Sequence, residues 1–232
     1  MVPMAYLSVL VFITGVIKTF IRIIKAPKHK TTLKVFPQGK KPLLQAVKDT
    51  LFMPSVRRDK PILWLMLMLY HAAFLLLILG HLDLIPGINL MKKDSPHMLG
   101  FGAVGVVLTV TVVYFLLRRF KSPVREISTM GDYLILLLLF FIFLSGGIIS
   151  WSNSWNENGF VLEKSDFKTY FGDLVKFTFN DPGETLSGSH YFHVVIHVFL
   201  ANLFIMVFPF TKFIHSFFAM AVNKIRRGAH GA

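Results

Sequence analysis

The sequence predicts an all-α integral membrane protein, a bundle of five transmembrane helices with its N-terminus outside and its C-terminus in the cytoplasm. Of its 232 residues, 54% are hydrophobic and 16% are charged, whereas soluble domains average about 45–50% apolar and about 25% charged. The mean hydropathy of +0.60 agrees. This composition excludes a disordered chain, and it argues against a soluble enzyme because too much apolar surface would face water.

Five stretches reach the length of about 20 predominantly apolar residues that a membrane span needs. They cover residues 4–21, 61–82, 98–117, 131–150 and 190–211. The first is interpreted as a retained span and not as a signal peptide, because no charged segment precedes it and no small-residue cleavage site follows it. Since the chain shows no internal repeat and no low-complexity linker, residues 1–232 are predicted to form a single membrane domain.

The charge distribution predicts the orientation. Lys and Arg outnumber Asp and Glu by 25 to 12, and residues 22–60 alone carry eleven basic and two acidic residues. Residues 118–129 carry four basic and one acidic, and the tail from Lys212 carries four basic and none acidic. The remaining connections, 83–97 and 151–189, together carry five basic and eight acidic residues. Because cytoplasmic loops are rich in Lys and Arg, the basic segments are placed in the cytoplasm of a multi-pass cell-membrane protein.

The connection 151–189 contains a second feature, an amphipathic pattern from Glu163 to Phe177. A helix here would carry four apolar side chains on one face. These are Phe167, Tyr170, Phe171 and Leu174. Two interpretations remain open: the helix lies against the outer membrane surface, or it is a packing lid without chemistry.

The chain has no cysteine. This excludes disulfides, thiolate metal sites, iron–sulfur ligation by this chain and covalently attached haem c. Any redox cofactor must therefore be held by other side chains.

Histidines are the candidate ligands, since ionisable residues within spans are costly and often functional. Of nine histidines, no role is assigned to His29, His97 and His230. The other six fall on the second and fifth spans only: His71, His81, His190, His193, His197 and His215. Two antiparallel helices would present one pair at an inner depth and one at an outer depth. Pairs separated in this way favour bis-histidine haem b over zinc or copper, and structural zinc prefers four compact ligands. The alternative is that each histidine is a polar packing residue.

Helix geometry selects among these histidines. At about 1.5 Å per residue, His71 and His81 differ in height by about 15 Å, and His197 and His215 by about 27 Å. Because His190 and His193 would increase this mismatch, His197 is the preferred outer ligand. The 18-residue interval from His197 to His215 corresponds to five turns of about 3.6 residues and predicts a shared face. His190 and His193 are left as interfacial residues near a haem propionate or a quinone.

Several motifs carry a family resemblance. They are HAAFLLLILGH from His71 to His81, the ending FPFTKFIH from Phe208 to His215, RRFKSP from Arg118 to Pro123 and ISTMGD from Ile127 to Asp132. With its histidines ten and then eighteen residues apart, the chain resembles the dihaem cytochrome b (gamma) subunit of respiratory nitrate reductases. It is similar also to the membrane cytochrome b subunit of the sulfite-reductase-linked complex and to the heterodisulfide-reductase cytochromes b. The resemblance covers all five spans.

This resemblance implies two b haems, an inner one held by His71 and His215 and an outer one held by His81 and His197. Gly80 matches a family glycine beside which a haem plane can lie close to the backbone. A site for menaquinol or another quinol is implied near the outer haem, and Lys93 matches a family lysine that is implicated in this site. The alternative is that Lys93, like its neighbour Lys92, is a solvated loop lysine.

The resemblance also implies a hetero-oligomeric anaerobic respiratory complex with a cytoplasmic iron–sulfur protein subunit. The long basic loop 25–60 looks more like the sulfite-linked relatives, which leaves the partner complex open. Electrons could flow from quinol to the partner or in reverse. A different class, a non-redox transporter or structural anchor with proton-relay histidines, lacks the usual Asp or Glu within four of the five spans; Asp132 at the edge of the fourth is the nearest acid.

Overall fold

A computed structural model of the chain describes residues 1–25, 41–88, 90, 102–155, 164–178, 180–186 and 191–227. Every regular element in these ranges is helical. In chain order the α-helices are α1 (Val2–Lys25), α2 (Pro42–Phe52), α3 (Pro54–Asp59), α4 (Pro61–Leu82), α5 (Ala103–Arg119), α6 (Met130–Trp155), α7 (Lys164–Lys176), α8 (Pro182–Thr185), α9 (Tyr191–Val207) and α10 (His215–Arg226).

Four helices are long and apolar enough to cross a membrane. They are Val2–Lys25, Pro61–Leu82, Met130–Trp151 and Tyr191–Phe210, and each matches a predicted span within a few residues. The predicted third span falls on α5, which has 17 residues and follows a segment, residues 91–101, outside the described part of the chain. The all-α membrane class is therefore confirmed, while the count of five spans and the orientation stay predictions.

Proline marks the start of several helices. Pro42, Pro54, Pro61 and Pro182 are the first residues of α2, α3, α4 and α8. A proline at this position costs the helix no hydrogen bond, because the first N–H groups of a helix have no partner within it. Between α2 and α3 the chain turns at Met53, whose φ of 42° is left-handed. The sequence therefore cuts a long polar connection into short helices just before the second span.

The chain divides into two compact units, with boundaries inside α1 and α4. The first unit contains residues 1–9 and 69–206, and the second contains residues 10–68 and 207–232. Each unit is described by itself below, and the single-domain organisation stays a prediction.

The centre of the first unit is the α5–α6 hairpin. A Cβ placed on Gly105 would lie 3.5 Å from Cα of Gly147, so the two backbones approach closely where both residues are small. Leu108 and Leu139 are completely or almost completely buried in this unit. At the loop end of the hairpin, Asp132 is 5% exposed and lies 3.4 Å from the Arg119 guanidinium. The acid that the sequence placed at the edge of the fourth span is thus paired with a neighbouring arginine.

Helix α7 confirms the predicted amphipathic helix within one residue at each end. Its apolar face packs against protein: Tyr170 is 5% exposed and clusters with Leu186 and Val194, with Phe167, Phe171, Leu174, Ile149 and Val198 around them. The packing interpretation therefore describes this face, whereas contact of α7 with the membrane surface stays a prediction. The physical reason is that Ile149 of α6 and Val194 and Val198 of α9 offer this face an apolar environment.

The second unit joins α2 to α10. The Arg227 guanidinium contacts the Asp49 carboxylate at 2.6 Å, and the Asn223 amide donates a hydrogen bond to the Thr50 hydroxyl at 2.9 Å. In the same unit, α1 passes the segment that follows α9: a Cβ on Gly15 would lie 2.7 Å from Cβ of Pro209. Only a glycine permits this approach.

The approach to His215 corrects one prediction. Helix α9 ends at Val207, and two 3-10 turns follow, Phe208–Phe210 and Lys212–Ile214. Thr211 between them is extended, with φ −107° and ψ 172°. Pro209 has no N–H and cannot continue an α-helix. The expectation that five continuous helical turns connect His197 to His215 and place them on one face is therefore wrong, because the α-helix ends at Val207.

Candidate cofactor site

His81 and His197 face each other within the first unit. His81 lies one residue before the end of α4, and His197 lies near the middle of α9. Their imidazole ring centroids are 6.4 Å apart and their planes differ by 31°. Both side chains are half-buried. Two of the four histidines selected from the sequence are thus brought together in the predicted combination.

The hydrogen bonds of both rings suit the same tautomer, with the proton on Nδ1. Nδ1 of His81 lies 2.8 Å from the carbonyl oxygen of Leu77, one turn earlier in α4, to which it donates its proton. Nδ1 of His197 lies 3.0 Å from Oγ of Ser145. Since the Ser145 hydroxyl donates to the Ile142 carbonyl at 2.9 Å, its oxygen is left to accept from His197. Both Nε2 atoms therefore keep their lone pairs, which is the form that binds a metal.

The separation of the rings fits coordination of one metal from both sides. Imidazole nitrogens bind first-row metals at about 2.0 Å, and with each ring centre about 1.1 Å behind its nitrogen, two such ligands place their centres about 6.2 Å apart. The observed 6.4 Å agrees. Within the described residues, no group of three or more His, Asp or Glu side chains is arranged to hold a metal. The donor set therefore suits a centre with two imidazole ligands, such as haem b, better than zinc.

Glycine borders this site on two helices. Gly80, the predicted neighbour of the haem plane, is buried in α4 beside His81. Gly146 in α6 is more constrained: a Cβ there would lie 2.9 Å from Cε1 and 3.4 Å from Nδ1 of His197. Real Cβ atoms do not approach other atoms so closely, so the imidazole would have to move if residue 146 carried a side chain.

The other two predicted ligands, His71 and His215, have different surroundings. His71 is exposed, with its ring edge-on to Tyr70 at 5.6 Å between centroids. His215 is exposed at the start of α10, and its Nδ1 lies 2.8 Å from the Lys212 carbonyl. This bond also leaves Nε2 as the metal-binding nitrogen. His71 belongs to the first unit and His215 to the second, and their pairing stays a prediction.

Two further predicted residues, Lys93 and His190, lie outside the described residues. His193 lies one turn before His197 on α9 and is half-buried, with its ring edge-on to Phe192. Among the basic residues counted for the cytoplasmic face, Arg58, Arg119 and Arg227 have acidic partners in the structure.

Sequence reasoning missed several polar residues of the first unit. Ser145 and Gly146 were read as part of an apolar span, and their only signal was the small-residue run Ser-Gly-Gly. Asp83, two residues after His81, was counted only among the charges of the connection 83–97; it is completely buried and accepts a hydrogen bond from the Leu90 N–H at 2.7 Å. Ser8 of α1 donates to the Asn202 side chain of α9 at 2.7 Å, both being buried.

Comparison with known proteins gives a consistent result. Residues 56–228 match the family model described as nitrate reductase gamma subunit. The nitrate reductase gamma chain of Bacillus subtilis (strain 168) is 29% identical over 163 residues, which cover 64% of this chain and 69% of that protein. The matched region includes both facing histidines and all of the second to fifth predicted spans.

Proposed function

The chain belongs to the nitrate reductase gamma subunit family, and we propose that it is the dihaem cytochrome b subunit that anchors a respiratory nitrate reductase-type complex in the cell membrane. In this proposal it transfers electrons between menaquinol, or another quinol, and a cytoplasmic iron–sulfur subunit. Both comparisons carry the nitrate reductase name, which favours this complex over the sulfite-reductase-linked one.

The facing imidazoles of His81 and His197 carry the proposal. Their 6.4 Å separation suits two imidazoles that would bind one iron. Each Nδ1 is engaged by a carbonyl or hydroxyl oxygen of the protein. Proton relays and packing histidines need neither this separation nor a common tautomer. We therefore assign His81 and His197 to the outer haem b and, by the family spacing, His71 and His215 to the inner one.

Each residue has a definite task in this scheme. A bound b haem supplies a reversible one-electron carrier, and the protein tunes its potential through the axial ligands, their hydrogen bonds and burial. His81 and His197 would hold the iron from α4 and α9, and the Leu77 carbonyl and Ser145 hydroxyl keep their rings in place. Buried Gly80 leaves the α4 backbone accessible beside His81. The surrounding apolar helices exclude water from the electron path.

The proposed orientation makes the reaction electrogenic. With five spans and the basic segments inside, protons from quinol are released outside while electrons move inward to the partner. Each charge that crosses the full membrane is coupled to about 2.3 kcal/mol per 100 mV. An iron–sulfur partner is required because the chain has no cysteine with which to ligate a cluster. The basic cytoplasmic segments are its proposed docking surface.

Lys93 is the proposed quinol-site residue. It follows His81 by twelve positions, in the connection after α4. A cationic side chain there would hold a haem propionate or the anionic oxygen of a quinol. We expect Lys93→Ala to slow reduction by a quinol analogue while both haems remain bound, and Lys92→Ala to have a smaller effect. Stopped-flow rates normalised to haem content test this; equal wild-type rates in both variants would exclude Lys93.

The decisive experiment for the function is an optical redox titration of the purified chain, expressed with adequate haem supply. We expect a Soret band, two b-type haems per chain that acid-acetone removes, and two redox transitions. Mild-detergent isolation from the native membrane should also recover a cysteine-rich partner. Haem-free protein would contradict the redox function, and a partner docked only on the outer face would contradict the orientation.

A further inference from the structure

Two adjacent residues of α6 contact the imidazole of His197 on different atoms. The Ser145 hydroxyl oxygen lies 3.0 Å from Nδ1. The three atoms nearest to a Cβ built on Gly146 all belong to the same ring, at 2.9, 3.4 and 3.7 Å. Ser145 is 8% exposed, so water does not compete effectively for its hydrogen bond. The orientation of His197 thus depends on a neighbouring helix.

We propose that Ser145 and Gly146 are positioning residues that set the plane of the His197 imidazole and its electron donation to the outer haem iron. This inference rests on the proposed function, because it assumes that His197 is an axial ligand. Neither residue touches the iron; both act through the histidine.

The contacts of Ser145 and Gly146 with His197 have different effects, one electronic and one steric. The hydrogen bond from Nδ1–H to Ser145 increases the basicity of Nε2, as second-shell acceptors do for metal-bound histidines. A more basic imidazole stabilises the oxidised iron and lowers the reduction potential. Gly146 acts sterically: because it has no Cβ, the edge of the His197 imidazole can occupy the space beside it. Together they restrict rotation about the side-chain bonds and hold the 31° angle to His81.

The ligands of this site are therefore supported unequally. His81 donates to Leu77 of its own helix, so its orientation follows from α4 alone. His197 depends on α6 for its hydrogen bond and for the space beside it. Changes in α6 are expected to alter the outer haem even though α6 supplies no ligand.

The next residue provides a matched control. Gly147 lies beside Gly146 in the same helix, but a Cβ there would meet no atom within 4 Å. Gly146→Ala and Gly147→Ala therefore add the same methyl group and change helix propensity equally. Only Gly146→Ala should push against the His197 ring.

The test uses the purified full chain with its haems, measured by haem-to-protein ratio, low-spin EPR and redox titration. We expect Gly146→Ala to change the EPR signal and potential of one haem, the one that His197→Ala removes, or to halve the haem-to-protein ratio. Gly147→Ala should match the wild type in all three measurements. Identical behaviour of the two alanine variants, or a change in the other haem, would overturn the role of Gly146.

Ser145 is tested by a second series, which also decides the proposal if Gly146→Ala does not fold. Ser145→Ala should retain both haems and raise the potential of the same haem, and Ser145→Thr should restore it by returning the hydroxyl. Thr111→Val is the control for loss of a buried hydroxyl that bonds to its own helix and should leave both potentials unchanged. Unchanged potentials in Ser145→Ala would overturn the inference, whereas a haem-free wild type would instead refute the proposed function.

Discussion

The region around His81 and His197 and the segment from Val207 to His215 differ in how they hold a histidine. In the first, regular helices present two facing rings, and a third helix supplies a hydrogen bond and a glycine contact. In the second, the helix stops at Val207, and His215 follows two 3-10 turns. The Thr211 hydroxyl, which accepts from the Phe213 N–H at 3.2 Å, holds this bend. Tertiary packing thus orients His197, whereas local backbone geometry orients His215.

The largest effect is expected from replacing the four proposed haem-binding histidines one at a time, which should distinguish the two regions. His197→Ala should halve the haem-to-protein ratio and eliminate one redox transition, because it removes a proposed haem ligand. His81→Ala should eliminate the same transition, and His71→Ala or His215→Ala the other. His193→Ala, one turn from His197, is the control and should retain both haems. Loss of haem in His193→Ala with retention in His197→Ala would show that His193, and not His197, binds this haem.

A second substitution should affect the segment before His215 selectively. A Cβ on Gly15 would lie 2.7 Å from Cβ and 2.9 Å from Cγ of Pro209. Because the proline ring is rigid and buried, Gly15→Ala must displace this segment, at a cost of about 1–3 kcal/mol in stability.

We therefore expect Gly15→Ala to shift the transition that His215→Ala eliminates and to leave the other in place, as measured by redox titration. Gly147→Ala, in an uncrowded position, controls for the added methyl group. A shift confined to the transition assigned to His197 would contradict the separation of the two regions.

These two regions also show what the sequence could predict. The span pattern and the ten-residue spacing predicted α4, and with it the position of His81, because apolar length and helical rise are local properties. The shared face of His197 and His215 was not predictable from spacing, since Pro209 interrupts the helix. The role of Ser145 and Gly146 could not be predicted for another reason: it depends on which helix lies beside them. Small residues are also common in membrane helices for packing alone.

A smaller effect is expected from the buried Ser8–Asn202 hydrogen bond of the first unit. Asn202→Leu removes it while keeping the branching of the side chain, and the Ser8 hydroxyl can then donate to the Ala5 carbonyl, 2.7 Å away. Interhelical hydrogen bonds in membrane proteins average about 0.6 kcal/mol, so we expect a loss of about this size in the unfolding free energy, measured in mixed micelles. Thr109→Val, whose hydroxyl donates to Gly105 of its own helix, should change less. Equal losses would contradict an interhelical contribution.

The smallest effect concerns the α7 lid and appears with pH. The Tyr170 hydroxyl has no hydrogen-bond partner among the described residues, and burial raises the pKa of Tyr170 to about 12. An unfolded tyrosine ionises near pH 10. Stability from this difference is complete below pH 10 and is lost as the pH rises towards 12, by about 1 kcal/mol at pH 11.

Tyr170→Phe should therefore be neutral or slightly stabilising at pH 7, and it should lose less stability than the wild type between pH 9 and 11. The measurement is the unfolding free energy against pH. Tyr6→Phe is the comparison, because the Tyr6 hydroxyl donates to the Leu174 carbonyl at 2.9 Å and its removal should cost about 1 kcal/mol at neutral pH. A wild-type advantage over Tyr170→Phe that grows with pH would contradict the raised pKa.

The α5–α6 hairpin has a consequence for how the chain tolerates insertions and deletions. It is tied at one end by Arg119 and Asp132, and at the other by the Gly102 N–H, which donates to the Ser150 hydroxyl at 3.1 Å. Asp132 and Ser150 are 18 residues apart, which is five turns of about 3.6 residues, so both meet α5 on one side. Adding or removing one residue between them would rotate half of α6 by about 100° and break one tie. Relatives are therefore expected to keep this interval in length even where its residues differ, and to vary in length in the loops instead.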